Sequence, residues 1–276
     1  MTAELSDAYQ TKREGVTHIL DSIVEVFPET SVWVVDANAN LLTLSEAREE
    51  PLRVAAANWA ATAWMVGRHI RDCFLIDVGS TTTDIIPIVD GKPKTVGKTD
   101  TERLISGELV YTGALRTTIP AIVSHIPVWE KKCRVSSEKF SLSADVHLIL
   151  NHISEEEYSC ETADGRSKTV EHSLARLARV ICADTDMLQR SEIYEIARYI
   201  YQCQLNQIKE ALIQVAAKNT AIKRIVVTGT GRNFLARKAA AEAGFTDIID
   251  LGEIIGWKGA DVSPAYAMAL MVATIK

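Results

Sequence analysis

Apolar residues recur at helical spacing between residues 8 and 26, with Val16, Ile19, Leu20, Ile23 and Val24 on one face, and Pro28 ends the pattern. Ser31 to Val35 predicts a strand, Asp36 to Asn40 a turn, and Leu41 to Leu44 the returning strand. Ala55 to Ile70 reads as an alanine-rich helix whose Trp59 and Trp64 are expected to pack in the core rather than to form a stacking platform. At Cys73 the period changes. Phe74-Leu75-Ile76 is a short apolar strand running into Asp77-Val78-Gly79-Ser80, Thr83 to Val89 is a second strand, and Asp90-Gly91-Lys92 closes a hairpin. Residues 115–170 predict short strands and turns, and 171–183 and 191–218 predict long helices. A second strand–loop–helix unit follows: Arg224 to Val227, the loop Thr228-Gly229-Thr230-Gly231, and a helix from Asn233 to Ala243 stopped by Gly244. Ile248-Ile249 is a further short strand, and Ser263-Pro264 opens the final helix.

With 276 residues, 47% hydrophobic and 24% charged, the chain has room for a sizeable core and is too apolar to be disordered. Its net charge of −6, with acids and bases interspersed, leaves no footprint for nucleic acid or for an anionic membrane surface, so neither is an expected partner. No run approaches the ~20 apolar residues of a membrane span, and the start lacks a signal-peptide pattern. The 5 cysteines are scattered without a CxxC pair, which argues against disulfides and zinc and for a cytoplasmic setting. The 6 histidines form no metal-ligand pair at i,i+4 and are expected to be structural.

Candidate chemistry concentrates at residues 76–84. Gly79 permits close approach of the backbone to a ligand, and consecutive N–H groups with the hydroxyls of Ser80, Thr81 and Thr82 form a concave donor surface suited to phosphate oxygens. Asp77, at the end of a buried strand, is placed to hold Mg²⁺ directly or through water. Asp84 lies where the returning strand brings it back towards Asp77. The loop Gly229-Thr230-Gly231, between a strand and a helix, fits either a phosphate site at a helix N-terminus or a plain tight turn. Phe234 replaces the third glycine of a dinucleotide fingerprint, so a Rossmann site is not supported. In a third stretch Glu108 is a candidate general base or a magnesium or substrate contact, and Arg116 a candidate phosphate clamp. A helix start capped by Asp100 or Thr101 explains part of that stretch.

The run Leu75-Ile76-Asp77-Val78-Gly79-Ser80-Thr81-Thr82-Thr83-Asp84 resembles the second phosphate-binding motif of the sugar kinase/actin/Hsp70 superfamily, in its hydantoinase/oxoprolinase branch, and Val226 to Gly231 resembles that superfamily's nucleotide-end glycine loop. The opening Met1 to Asp7, Thr11 to Val16, Ala56-Ala57-Asn58-Trp59, Ser106 to Gly113 and Ala163-Asp164-Gly165 resemble, more narrowly, archaeal and methylotroph proteins linked to the tetrahydromethanopterin C1 pathway. The resemblance implies an α/β, actin-like (ribonuclease H-like) fold of two lobes. Residues 1–71 would form a partial N-terminal lobe. Residues 72–276 would form the second, ribonuclease H-like lobe, with an insertion at about 115–170. Family members carry a first loop of the type D-I-G-G-A-N-x-K ahead of the point where this chain starts, so an incomplete first lobe and an open sheet edge suited to homodimerisation are expected.

The resemblance also implies a transferase of methanofuran assembly. Such an enzyme would join an aminomethylfuran-methyl diphosphate to the phenolic amine γ-glutamyltyramine, with release of pyrophosphate. Asp77 would hold Mg²⁺, residues 79–82 and 229–231 would receive the diphosphate, and Asp84 or Glu108 would take the phenol proton. The broader motif also permits an ATP-dependent hydrolase of hydantoinase or oxoprolinase type, with ATP as its cofactor. A non-catalytic phosphate-binding remnant is the third reading.

Overall fold

The computed structural model describes residues 4–28 and 31–275; Met1 to Ala3, part of the opening resemblance, lie outside them. Helix α1 (Lys12–Val26) starts where the Thr11 hydroxyl accepts the Glu14 N–H. Strands β1 (Trp33–Val35) and β2 (Leu41–Thr43) pair antiparallel around a turn fixed by the Asp36 carboxylate, which accepts the N–H groups of Asn38 and Asn40. Two short helices that the apolar pattern does not show follow, α2 (Leu44–Glu49), held by a Thr43–Glu46 capping box, and α3 (Pro51–Val54). Helix α4 is Asn58–His69.

From Cys73 the chain builds a mixed, six-stranded sheet. Strands β3 (Cys73–Val78) and β4 (Thr83–Val89) form the antiparallel centre, and β5 (Lys92–Pro93) pairs with the far side of β4. The turn before β5 takes Asp90 and Gly91 at φ of 53° and 74°. Helix α5 (Asp100–Ser106) is capped by Thr99 with Glu102, not by Asp100 or Thr101, because the β-region residue with its hydroxyl free lies one position earlier. Strand β6 (Leu109–Val110) pairs with the start of β4.

The stretch 115–170 is more helical than the turn-rich sequence suggests. It holds α6 (Ile119–Ile122), the hairpin β7 (His125–Val128) and β8 (Lys131–Arg134), and α7 (Ser143–Ile149). Helix α7 is buried on every side, so its hydrophobic period is masked by Ser143, Asp145 and His147, which find partners inside. Helices α8 (Val170–Arg179) and α9 (Arg190–Ala217) lie within one residue of expectation at their starts.

Strand β9 (Arg224–Thr228) runs parallel to β3, and β10 (Asp247–Asp250) parallel to β9, giving the order β10-β9-β3-β4-β5. The segment after β9 begins as a π-helical turn (Arg232–Ala236), in which the Gly231 carbonyl accepts from both Leu235 and Ala236, and continues as α10 (Arg237–Glu242). Helices α11 (Leu251–Ile255), α12 (Trp257–Asp261) and α13 (Ser263–Ala273) complete the chain.

Side chains alternate across the sheet. Phe74, Ile76, Ile225 and Val227 enter one apolar layer with α9 and α10, while Cys73, Leu75 and Val226 enter the other with α4 and α13. The second layer therefore draws on both sides of residue 72. Among the described residues, no helix is long and apolar enough to cross a membrane.

Candidate active site

Strand register brings the site's polar residues into one row. Thr228 of β9 lies opposite Asp77 of β3, and Asp77 opposite Asp84 of β4. The row sits at the carboxyl ends of the parallel strands β3 and β9, where α/β sheets open a ligand crevice.

Two backbone loops rise from the row. In the first, the Gly79 N–H donates to the Thr82 carbonyl at 2.9 Å, and the segment 114–116 grips the loop from below: Ala114 N–H donates to Gly79 O, and Leu115 and Arg116 N–H to Ser80 O. Gly113 lies under this loop so closely that a Cβ there would stand 2.5 Å from the Thr81 carbonyl carbon. The carbonyls are thus consumed underneath. Among the described residues no backbone acceptor takes the N–H groups of Ser80, Thr81 or Thr82. The second loop packs against the first. Gly229, at φ 85°, leaves no room for a Cβ, which would lie 2.5 Å from Asp77 Oδ1 and 2.4 Å from Val78 O.

Asp77, Gly79, Ser80, Thr81, Thr82, Asp84, Arg116, Gly229 and Thr230 line a single cleft of about 640 Å³. Two residues expected in the site have other work. Gly231 is not on the cleft; its N–H donates to Val78 O at 2.9 Å and its Cα lies against the Val78 side chain, so it pins the second loop to β3. Glu108 is also off the cleft, 2% exposed, and its carboxylate accepts the N–H groups of Val96 and Gly97 and the Ser106 hydroxyl. With both oxygens occupied by the connection between β5 and α5, it serves as an anchor and not as a base.

Electrostatics separate the two aspartates. Asp84 Oδ1 receives Arg103 Nη2 at 2.9 Å; burial pushes its carboxyl up, against the opposing pull of Arg103. Asp77 has no cation among the described residues, and burial, helped by the charge of Asp84, pushes it up to about 7. Beside it in register, the buried Thr228 hydroxyl has no hydrogen-bond partner among the described residues.

Arg103, Asp100 and Glu4, none of them a candidate site residue from sequence, share the cleft. Arg103 is 1% exposed, lies 4.2 Å above the Trp59 ring and donates to the Glu108 carbonyl as well as to Asp84. Trp59 is core, as expected, and is also the plate on which this guanidinium rests. Asp100 is occupied by Lys12 Nζ at 2.5 Å. The signal for Glu4 and Trp59 was the pair of motifs at 1–7 and 56–59, which carried no chemistry of their own; nothing in the sequence marked Arg103.

The profile of the hydantoinase/oxoprolinase family matches residues 1–275. A protein of Methanocaldococcus jannaschii named (4-{4-[2-(gamma-L-glutamylamino)ethyl]phenoxymethyl}furan-2-yl)methanamine synthase is 42% identical over 273 residues, spanning 99% of this chain and 81% of its own length. A Methanococcus vannielii protein of the same name is 36% identical over 204 residues, 73% of this chain and 91% of its own length. Among solved structures, nucleotide-free acetone carboxylase, studied for ATP-dependent acetone carboxylation, superposes with a TM-score of 0.55 at 13% identity. That likeness covers 86% of this chain but 35% of the carboxylase chain, and it is one of fold.

Proposed function

This chain belongs to the hydantoinase/oxoprolinase family, and from that premise we propose that it is a transferase of methanofuran assembly. It forms the aryl ether of (4-{4-[2-(γ-L-glutamylamino)ethyl]phenoxymethyl}furan-2-yl)methanamine from an aminomethylfuran-methyl diphosphate and γ-glutamyltyramine, releasing pyrophosphate. The supporting observation is the meeting of two glycine loops around Asp77, with three loop N–H groups lacking a backbone acceptor and their hydroxyls on one cleft. An ether between a phenol and a furan-methyl carbon needs that carbon activated by a leaving group. Donors of this kind suit the oxygens of a diphosphate. The sheet order supports reading the region from Cys73 as the ribonuclease H-like unit of the actin-like superfamily.

In the reaction the furan-methyl C–O bond breaks with its electron pair leaving on the diphosphate, the phenol oxygen bonds to that carbon, and the phenol proton goes to a carboxylate. The N–H groups and hydroxyls of residues 80–82 and the backbone around Thr230 receive the charge that develops on the leaving oxygens. Asp84 is the proton acceptor: its raised basicity suits it to a phenol, and Arg103 fixes its orientation. Arg116, which has no acidic partner among the described residues, closes on the outer phosphate.

The site fits Mg²⁺. Among the described residues Asp77 has no cation and lies beside a hydroxyl without a partner, and Mg²⁺ takes one or two carboxylates and keeps several waters. Held by Asp77, the ion would neutralise the departing diphosphate. The test is to incubate the purified chain with both substrates and Mg²⁺, without ATP, and to follow ether by mass spectrometry and pyrophosphate colorimetrically. Equimolar ether and pyrophosphate are expected, falling about 10²- to 10³-fold in Asp77→Asn. Turnover that requires ATP, or unchanged activity in Asp77→Asn, overturns the reading.

A further inference from the structure

The cleft holds two acids that the ether-forming chemistry does not use, Asp100, which Lys12 occupies, and Glu4. Glu4 precedes α1, and its backbone lies so close to Gly15 that a Cβ there would stand 2.2 Å from the Glu4 carbonyl oxygen, so its position is set by the fold. The residue is 3% exposed, lines the same cleft as the phosphate loops, and its Oε2 is buried without a hydrogen-bond partner among the described residues. Among the described residues no cation pairs with it, whereas Asp100 has Lys12 and Asp84 has Arg103. Asp77, which also has no cation among the described residues, lies against Gly229 of the second phosphate loop. A desolvated carboxylate that the chain leaves unsatisfied is a site for a cationic group brought by a ligand.

We infer that Glu4 binds the primary ammonium of the aminomethylfuran substrate and so makes the enzyme specific for the amine-bearing furan. The inference rests on the function proposed above. The furan carries its methanamine and its reacting methylene on one five-membered ring, so an acid sharing the cleft with the phosphate loops is within reach of that ammonium. The α-ammonium of γ-glutamyltyramine, by contrast, sits at the far end of a phenethyl and glutamyl chain. Glu4 is a binding residue: it holds the ring while the diphosphate leaves from the opposite substituent.

The experiment compares wild type with Glu4→Gln, which keeps the side chain's shape and removes its charge. The expected result is a KM for the furan diphosphate raised about 10- to 100-fold, with the loss falling on KM rather than kcat and the KM for γ-glutamyltyramine unchanged. A furan diphosphate with a methyl group in place of the aminomethyl is turned over with a similar KM by both proteins. Calorimetric titration with pyrophosphate and Mg²⁺ gives equal affinities for the two, which establishes that the variant is folded with its phosphate loops intact. If the furan KM is the same in both proteins, or if the loss falls on γ-glutamyltyramine, the assignment is wrong while the proposed reaction stands. Absence of ether formation by wild type removes the reaction and this inference together.

Discussion

Asp145 and Asp77 are both acids drawn into the interior of the same fold, and they differ in whether the chain itself satisfies them. Asp145, on α7, is fully buried and accepts hydrogen bonds from Ser141 Oγ at 2.8 Å, Leu142 N at 3.0 Å, Tyr158 OH at 3.1 Å, Ser173 Oγ at 3.0 Å and Arg176 Nε at 2.9 Å. Its partner Arg176 is equally buried and extends the network to Asp164. Among the described residues Asp77 has no cation, an acid for a cross-strand neighbour, and an unpartnered hydroxyl on its other side. The first arrangement is complete without a ligand, so its energy belongs to folding. The second is left incomplete by the fold, and its energy is available to whatever binds.

The largest effect should come from breaking the closed network. Asp145→Ala leaves the buried Arg176 with Asp164 alone, at 3.2 Å, strips the Ser141, Tyr158 and Ser173 hydroxyls of their acceptor, and is expected to cost about 3–5 kcal/mol in denaturant unfolding. The molecules still folded should bind pyrophosphate with wild-type affinity. A variant that keeps its stability but loses pyrophosphate binding would break the distinction between the two acids.

A smaller effect, directed at the open site, is expected from Gly113→Ala. The new Cβ meets backbone of Thr81 and Ser80 at 2.5 to 2.7 Å and cannot be accommodated by a side-chain turn, so the first loop must move. We expect a cost of about 1–3 kcal/mol and a loss of at least roughly tenfold in pyrophosphate affinity by calorimetry, equivalent to about 1.4 kcal/mol. Gly165→Ala is the control. Gly165 has φ 71° but nothing within 4 Å of its added Cβ, so about 1–2 kcal/mol of backbone strain should appear without change in affinity. Equal affinity losses in the two variants would show that loop geometry is not what binds the phosphate.

The contrast also explains what was legible beforehand. The strand pair around residues 76–84 could be read because its constraints are local: an apolar run, a glycine and a chain of hydroxyls occupy consecutive positions. The second loop was legible for the same reason, although Gly231 turned out to brace it rather than line the cleft. Glu108 was misread because an acid near a glycine looks the same in sequence whether it faces a ligand or caps its own loop; only the N–H groups of Val96 and Gly97 decide it. Glu4 and Arg103 reach the cleft from separate elements, and tertiary packing alone brings them there. Helix α7 was hidden because the polar side chains along it are satisfied internally, which erases the amphipathic period on which the sequence signal rests.

The smallest expected effect is a pH-dependent stability difference, and it tests directly whether Asp77 is unsatisfied. Its folded value, about 7, lies above the ordinary 3.8. At about pH 3 and below the carboxyl is mostly neutral in both folded and unfolded chains and contributes little. As pH rises, the unfolded chain ionises first and gains free energy that the folded one cannot match, so native stability is lost across pH 4–7 and stays lost above it. Asparagine does not titrate. Asp77→Asn should therefore melt with wild type at about pH 3 and above it at about pH 8. The side chain is partly open to cleft water, so the gain is about 1 kcal/mol, or roughly 2–4 °C in Tm. His147, pushed down to about 3 by burial, makes both proteins less stable as pH falls from 6.5 towards 3, and that contribution cancels in the difference. Added Mg²⁺ should raise the wild-type Tm at pH 8 and leave the variant unmoved, since a bound cation favours the ionised carboxylate. Identical melting curves at both pH values, with and without Mg²⁺, would place Asp77 among the satisfied acids and dissolve the comparison with Asp145.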